Sequence, residues 1–420
     1  MKRLLTEYLF VYPLYLVACL LRLVSLSCRA GANVHNRLYH KIGGRVARGV
    51  HHRKFEVLAA AIAEDWEGVL TFQRRVYTSA PRTWKHALRN TFVRKFVVGG
   101  FIRSRLKREG HIVPAFVTIS PNTPSSGCNL ACTTCYADAH PAVTMPYELL
   151  DRLVREQEEL GIYTVLFLGG EPFLYRRIWD IFPRYPHTTF YVSTNGTHTD
   201  HHAVRRLADL GNVVVGFSLE GFREETDSVR GRGVFDQVIA AMKHCRDARL
   251  PFGANVTVTR QNFHLVTSNA FLSMLDEIRC CAIYYSCYVA VGSRPNPAWE
   301  PTTEQVATFD EVKRRIGMRY GMLPSIGRNG SHQVTGCYAA REYIHVLPDG
   351  SVESCPFAQW ADPHYNVRKY SLLDVIDSPF FRGIRAMADA GVPGVVPCRA
   401  TRLVTVGKFF RDLGAQPTSR

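Results

Sequence analysis

At 420 residues the chain is long enough for one large domain plus extensions. Its 12 cysteines are few for that length and unevenly placed, which excludes a disulfide scaffold and points to a reduced, cytosolic location. The net charge of +16 is concentrated in residues 1–114, with 21 Lys+Arg against 6 Asp+Glu, whereas residues 115–420 hold 31 against 30. The basicity therefore belongs to the amino-terminal segment and not to the rest of the chain.

Leu9–Leu21 is an apolar run preceded by Lys2 and Arg3 and followed by Arg22 and Arg29. It is short of the roughly 20 residues needed to span a bilayer, and Pro13 would kink it. No small-x-small cleavage site follows, so a signal peptide is disfavoured. Residues 1–29 are expected to form a helix in the cytoplasmic leaflet, held partly by basic residues against an anionic membrane surface. A hydrophobic helix packed on the protein itself is the alternative. Residues 30–111 read as a basic, mostly helical segment, in which Arg94, Lys95, Arg103, Arg105, Lys107 and Arg108 surround the apolar stretch 96–102. Nucleic acid could pair with this charge, yet no zinc-finger or RNP-like pattern is present, and lipid is favoured over it. The expected location is peripheral, on the cytoplasmic face of the membrane.

Residues 114–120 read as a buried strand, followed by a turn rich in Pro and Gly and then by Cys128-Asn-Leu-Ala-Cys132-Thr-Thr-Cys135-Tyr136. Three thiols spaced C-x3-C-x2-C suit an iron–sulfur cluster better than zinc, because a closed zinc site needs a fourth ligand and none follows at the usual spacing. A cubane held by three cysteines leaves one iron open to a small molecule. This loop resembles the signature of the radical S-adenosylmethionine (radical SAM) superfamily. The resemblance implies a [4Fe-4S] cluster on Cys128, Cys132 and Cys135, SAM chelated to the open iron, and an electron donor such as flavodoxin or ferredoxin. The family often has an aromatic just before the third cysteine; here Thr134 stands there and Tyr136 follows as a candidate cofactor contact.

An amphipathic helix is expected from about Tyr147 to Leu160, and strands at Phe116–Ser120, Thr164–Leu168, Thr189–Ser193, Val213–Ser218, Gly253–Thr259 and Ala282–Val291. Strands alternating with helices at this rhythm imply parallel pairing, with functional residues at the carboxyl ends. The fold class is α/β, and the resemblance makes it a partial (β/α)6 TIM-like barrel over residues 112–300. Gly169-Gly170-Glu171-Pro172 ends the second strand, its glycines allowing close backbone approach to a ligand. It looks like the family's GGEP motif, which implies that Glu171 accepts from the SAM amino group. By the same resemblance Ser193 and Asn195 contact SAM, and Ser218 and Arg230 grip its carboxylate. An ordinary βα-loop with a local Asp227–Arg230 ion pair is the alternative. Asn255 and Thr257 line the cavity or are packed polar residues, and Cys280, Cys281 and Cys287 read as buried, inert thiols.

In residues 301–420, Tyr343–Leu347 and Ser351–Glu353 joined by Pro348-Asp349-Gly350 read as a β-hairpin. Cys337 and Cys355 bracket it and Cys398 follows, a pattern that resembles SPASM and twitch extensions and implies at most one auxiliary [4Fe-4S] cluster. A capping hairpin with buried thiols is the alternative. The expectation is a radical SAM enzyme that abstracts hydrogen from a C–H bond of a lipid or other hydrophobic substrate. A maturase of a ribosomally made peptide and a non-catalytic iron–sulfur redox protein at the membrane are the alternatives.

Overall fold

Five of the six expected strands form within a residue of their predicted limits, because each is a short apolar run bounded by Gly, Pro or Asn, while the sixth, expected to reach Val291, ends at Cys287. The computed structural model describes residues 75–76, 78–80, 90, 94–95, 98–326, 339–389 and 410–419. The apolar run at 9–21, the basic residues of 45–54, Cys337 and Cys398 lie outside the described residues. Strands β1 (Phe116–Ile119), β2 (Thr164–Phe167), β3 (Thr189–Thr194), β4 (Val213–Leu219), β5 (Phe252–Val258) and β6 (Ala282–Cys287) pair in sequence order, all parallel.

The sheet extends at both ends. Strand β7 (Leu323–Ile326) joins β6 in parallel. At the other edge β8 (Tyr343–Val346) pairs in parallel with β1, and β9 (Val352–Glu353), β10 (Trp360–Ala361) and β11 (Gln416–Pro417) continue antiparallel from it. The predicted hairpin is β8–β9, and it is built into the main sheet, which therefore runs past residue 300.

Along β3 the buried side chains are Phe190, Val192 and Thr194, while Thr189, Tyr191 and Ser193 are only partly covered. The same alternation puts Val213, Val215, Phe217 and Leu219 of β4 on one face and Ser218 on the other. The apolar face lies under helices. Phe167 of β2 and Phe190 of β3 stack at 5.8 Å and meet Phe182 of a short helix at 6.2 and 5.2 Å. Truncating one of these rings to Ala would cost about 3–5 kcal/mol.

Five helices position the site. Helix α1 (Gly99–Arg108) sets Gly99 against Gly161, where a Cβ would meet a carbonyl at 2.3 Å, and buries Leu106 while Phe101 stays exposed. Part of this basic helix is thus occupied by the protein itself. Among the described residues no helix is long and apolar enough to cross a membrane. Helix α2 (Tyr147–Glu159) buries Leu149, Leu150, Leu153 and Val154, one stripe of a 3.6-residue period. Helix α4 (His201–Leu210), which follows α3 (Ile178–Arg184), is capped by the Asp200 carboxylate accepting from the Ala203 amide at 2.8 Å. Helix α5 (Arg223–Arg230) follows β4 and ends beside the cysteine loop.

Candidate functional site

The loop after β1 is laced to its neighbours through backbone atoms. The Gly170 and Glu171 amides donate to the carbonyls of Asn122 and Gly127 at 3.1 and 2.7 Å, and the Thr133 amide donates to Val229 of α5 at 3.0 Å. The Asn122 amide group donates to the carbonyls of Gly127 and Glu171. Gln359, between β9 and β10, donates to the Tyr136 carbonyl at 2.6 Å. Cys128, Cys132 and Cys135 are half-buried on this frame. Burial pushes all three thiols up, Cys135 to about 11, and each feels neighbouring charges that include other cysteines of the set or Arg230. A bare thiolate is disfavoured there, so these sulfurs act as ligands only with the compensating charge of a metal centre.

Gly169 and Gly170 pack on the same loop. A Cβ on Gly169, whose φ is +111°, would lie 2.3 Å from the Asn122 carbonyl oxygen, and one on Gly170 would lie 2.5 Å from that of Gly127. Both missing side chains are therefore required by the cysteine loop itself. Glu171 is fully buried: one carboxylate oxygen accepts from the Phe173 amide at 3.1 Å and the Thr194 hydroxyl at 2.8 Å, the other from the Asn195 amide at 2.7 Å. Burial pushes its pKa up to about 7 against these three donors. The carboxylate thus ties the end of β2 to the end of β3. Glu171→Gln sets an amide N–H against a buried donor, and is expected to lower stability by about 1–3 kcal/mol. Denaturant unfolding, with faster hydrogen exchange at the Asn195 amide, measures it.

The less covered face of the sheet carries polar groups in register. Ser193 pairs with Gly216 and Ser218 with Asn255 across neighbouring strands. Asn255 donates to the Ser193 hydroxyl at 2.9 Å and accepts from the Tyr191 hydroxyl. Gly216 makes room for this, since a Cβ there would collide with the Tyr191 hydroxyl oxygen at 1.9 Å. Asn255 is therefore a packed polar residue of this network. Asn195 reaches the cysteine loop, donating to the Asn129 side chain at 2.9 Å and accepting from the Thr197 amide at 3.0 Å.

Arg230 takes a partner that the motif does not suggest. Its Nε and Nη2 donate to one oxygen of Glu220, at 3.0 and 2.5 Å, and Nη1 lies 3.9 Å from the Cys132 sulfur. Asp227, the other candidate partner, instead accepts from the amides of Gly233 and Phe235 at 2.8 and 2.9 Å, which hold its pKa below the usual carboxylate range.

A buried relay absent from the sequence reading joins the hairpin to the loop. Ser120, at the end of β1, meets His345 Nε2 at 2.8 Å; His345 Nδ1 meets Glu353 at 2.8 Å; Glu353 also meets His140 at 3.4 Å and the Thr418 hydroxyl. His140 Nδ1 closes onto the Ala137 carbonyl at 3.1 Å, two residues past Cys135. Cys355, at the end of this hairpin, is buried and lies 3.3 Å from the Tyr343 hydroxyl. The Tyr136 ring packs edge-on against Phe357 at 5.4 Å, with its hydroxyl buried. Cys280, Cys281 and Cys287 are buried, as expected. Cys337 and Cys398 are not among the described residues, so only Cys355 of the auxiliary set has a place here.

Among the described residues no three His, Cys, Asp or Glu side chains are gathered closely enough for a single metal ion. A closed zinc site needs a fourth protein ligand beside these three cysteines, whereas a cubane can be held by three.

Residues 122–264 match the family model of the radical SAM superfamily. Fe-coproporphyrin III synthase of Methanosarcina barkeri is 29% identical over 174 residues, covering 40% of this chain and 43% of that protein. The mycofactocin maturase MftC of Mycolicibacterium smegmatis is 29% identical over 255 residues, covering 55% of this chain and 62% of that protein. These alignments span less than two thirds of either relative. In fold, the chain is similar to Streptococcus suis SuiB bound to S-adenosylmethionine, with a TM-score of 0.58 at 17% identity over 70% of this chain and 74% of that one. SuiB has also been solved with its precursor peptide SuiA, with a TM-score of 0.58 at 18% identity over 70% of this chain and 73% of that one.

Proposed function

The chain is a member of the radical SAM superfamily through residues 122–264, and from that premise we propose that it cleaves SAM reductively and uses the product to abstract hydrogen from a C–H bond of a peptide. The observation that carries the reading is the three-cysteine loop seated on Gly169 and Gly170 and tied to the ends of β2, β3 and α5. When bound, a [4Fe-4S] cluster supplies the electron that breaks the sulfonium and yields a 5′-deoxyadenosyl radical.

The chain's own residues bind and orient. Cys128, Cys132 and Cys135 hold the cluster. Glu171 fixes the Ser193–Asn195 strand end, so that the polar face of Ser193, Ser218 and Asn255 is presented as one rigid surface. Gly169 and Gly170 seat the cysteine loop, Tyr136 packs on Phe357 beside it, and all three are proposed as further SAM contacts. Cys355, with Cys337 and Cys398, is the candidate set for one auxiliary cluster.

A peptide substrate is supported by the similarity to two maturation proteins, MftC and SkfB of Bacillus subtilis, the latter 27% identical over 145 residues. A tetrapyrrole is the second reading, supported by the similarity to Fe-coproporphyrin III synthase. The lipid reading rests on residues 9–21 and their basic flanks, outside the described residues. Vesicle flotation with and without residues 1–29 tests it separately.

The central test is detection of 5′-deoxyadenosine from anaerobically purified protein given SAM and dithionite. Peptides encoded beside its gene, or Fe-coproporphyrin III, are added in separate arms. A mass change in the peptide supports the first reading and one in the porphyrin the second. Full cluster loading with no SAM cleavage in any arm would return the protein to the redox-carrier class.

A further inference from the structure

Arg230 sits in the last turn of α5, where a cation is favoured by the partial negative charge of the helix end. Both the guanidinium and its carboxylate partner are nearly removed from solvent, with side chains 11% and 2% exposed. The arrangement is fixed from each side. The Glu220 backbone amide bonds the Thr226 hydroxyl at 3.2 Å, its carbonyl accepts from Asn262 at 2.9 Å, and the neighbouring Val229 carbonyl holds the Thr133 amide of the cysteine loop. With Nε and Nη2 on Glu220, the side-on edge of the guanidinium is already occupied. What remains is Nη1, aimed at the Cys132 sulfur.

We propose that Arg230 is a positioning residue that raises the reduction potential of the cluster through the Cys132 sulfur, with Glu220 setting how much of its charge that sulfur feels. This rests on the cluster reading given above. Reducing a cluster places additional negative charge on its sulfurs, and an N–H donor or a cation at one of them stabilises the reduced form. Nη1 sets the cation 3.9 Å from the Cys132 sulfur while Glu220 is bonded at the other edge, so the pair acts on the sulfur as a partial positive charge. Among the described residues Cys132 is the cysteine of the set whose sulfur a guanidinium N–H approaches, although the charge of Arg230 also reaches Cys128.

The two members of the pair have opposite signs, and so do their expected effects. Arg230→Gln removes the cation, and Glu220, left buried and unpaired, takes up a proton; the sulfur loses its positive neighbour and the potential becomes more negative. Glu220→Gln leaves Arg230 unneutralised, and the potential becomes more positive. At a fixed applied potential each change is expected to alter the reduced-to-oxidised ratio by about tenfold, about 59 mV for a one-electron couple. The double variant should behave like Arg230→Gln.

The experiment is a potentiometric titration of the SAM-free reconstituted protein followed by EPR of the reduced cluster, alongside calorimetric SAM binding. Opposite shifts in the two variants with SAM affinity retained support the proposal. An unchanged potential in Arg230→Gln with SAM affinity lost tenfold or more overturns it in favour of a carboxylate clamp. Should Arg230→Gln fail to load iron, Glu220→Gln decides alone, and a null or negative shift there overturns the proposal. A wild-type protein that takes up no cluster would instead sink the reading on which the proposal rests.

Discussion

Replacing Cys128, Cys132 and Cys135 together with alanine is expected to give a folded protein that takes up no cluster at the loop and releases 5′-deoxyadenosine only at the protein-free background. The reason to expect folding is that the loop is anchored by its main chain. The bonds from Gly170, Glu171 and Thr133, and from Gln359 to the Tyr136 carbonyl, all bypass the sulfurs. The thiols are only half-buried, so each truncation removes about 1 kcal/mol or less of apolar burial. Iron and acid-labile sulfide analysis with near-ultraviolet circular dichroism checks both halves. Cys245→Ala, in a buried core position without a place at the loop, is the control and should keep its iron. Loss of fold in the triple variant, or retention of SAM cleavage, would each count against the assignment.

The second large effect is on stability. Glu353→Gln is expected to lower the unfolding free energy by about 3–5 kcal/mol, because it breaks a buried ionic network while leaving its histidines in place. Glu353 has no exposed surface, and His140 and His345 are nearly as buried. Burial alone would raise the Glu353 pKa, but its bonds to His140 and His345 hold it below the usual carboxylate value. For His140, burial opposes the charge, and Glu353 together with the Ala137 carbonyl more than offsets this, leaving its pKa raised.

The signs fix the pH window. A depressed Glu353 contributes stability above the ordinary carboxylate value of about 4.3, and loses it as pH falls through the folded-state pKa. A raised His140 contributes fully below about 6.5, and loses its contribution as pH rises through its own folded-state value. The difference in stability between wild type and Glu353→Gln should therefore be greatest between about pH 4.3 and 6.5 and shrink on both sides. Urea unfolding across pH 4–9 measures it; a difference that does not vary with pH would leave the network without an ionic role.

What the sequence disclosed was local. Parallel strands buried on at least one face read as apolar runs, and so β1 to β5 lie within a residue of their expected limits, while β6 stops at Cys287, short of the expected Val291. The Pro348-Asp349-Gly350 turn announced β8 and β9 for the same reason, since turn chemistry resides in adjacent residues. Three thiols within eight positions needed no tertiary information. What could not be read is what the fold brings together from afar. Strand β7 is four residues long and contains Pro324, which weakens any strand signal. His345 and Glu353 face each other across the β8–β9 hairpin, but His140 stands on a separate segment that no spacing rule links to them. Arg230 read as a grip for the SAM carboxylate, with an ion pair to nearby Asp227 as the alternative, but helix α5 turns the guanidinium back toward Glu220 at the end of β4. The glycines of Gly-Gly-Glu-Pro signalled close approach correctly; that the approaching group is the carbonyl backbone of residues 122 and 127 needed the structure.

The parallel pairing of β1 with β8 bears on how the protein is made. Thr118 and its acceptor, the Ile344 carbonyl, are 226 residues apart in the chain, so the strand that carries the cysteine loop waits for a partner synthesised long after it. Such long-range closure is slow, and a nascent chain ending near residue 300 exposes β1 as an unpaired edge. The loop meets its partners on β2, β3 and α5 early, but its bond from Gln359 comes only after β8 is made. Until β8 arrives, that open edge is free to pair with another strand, which makes the incomplete chain prone to misassembly.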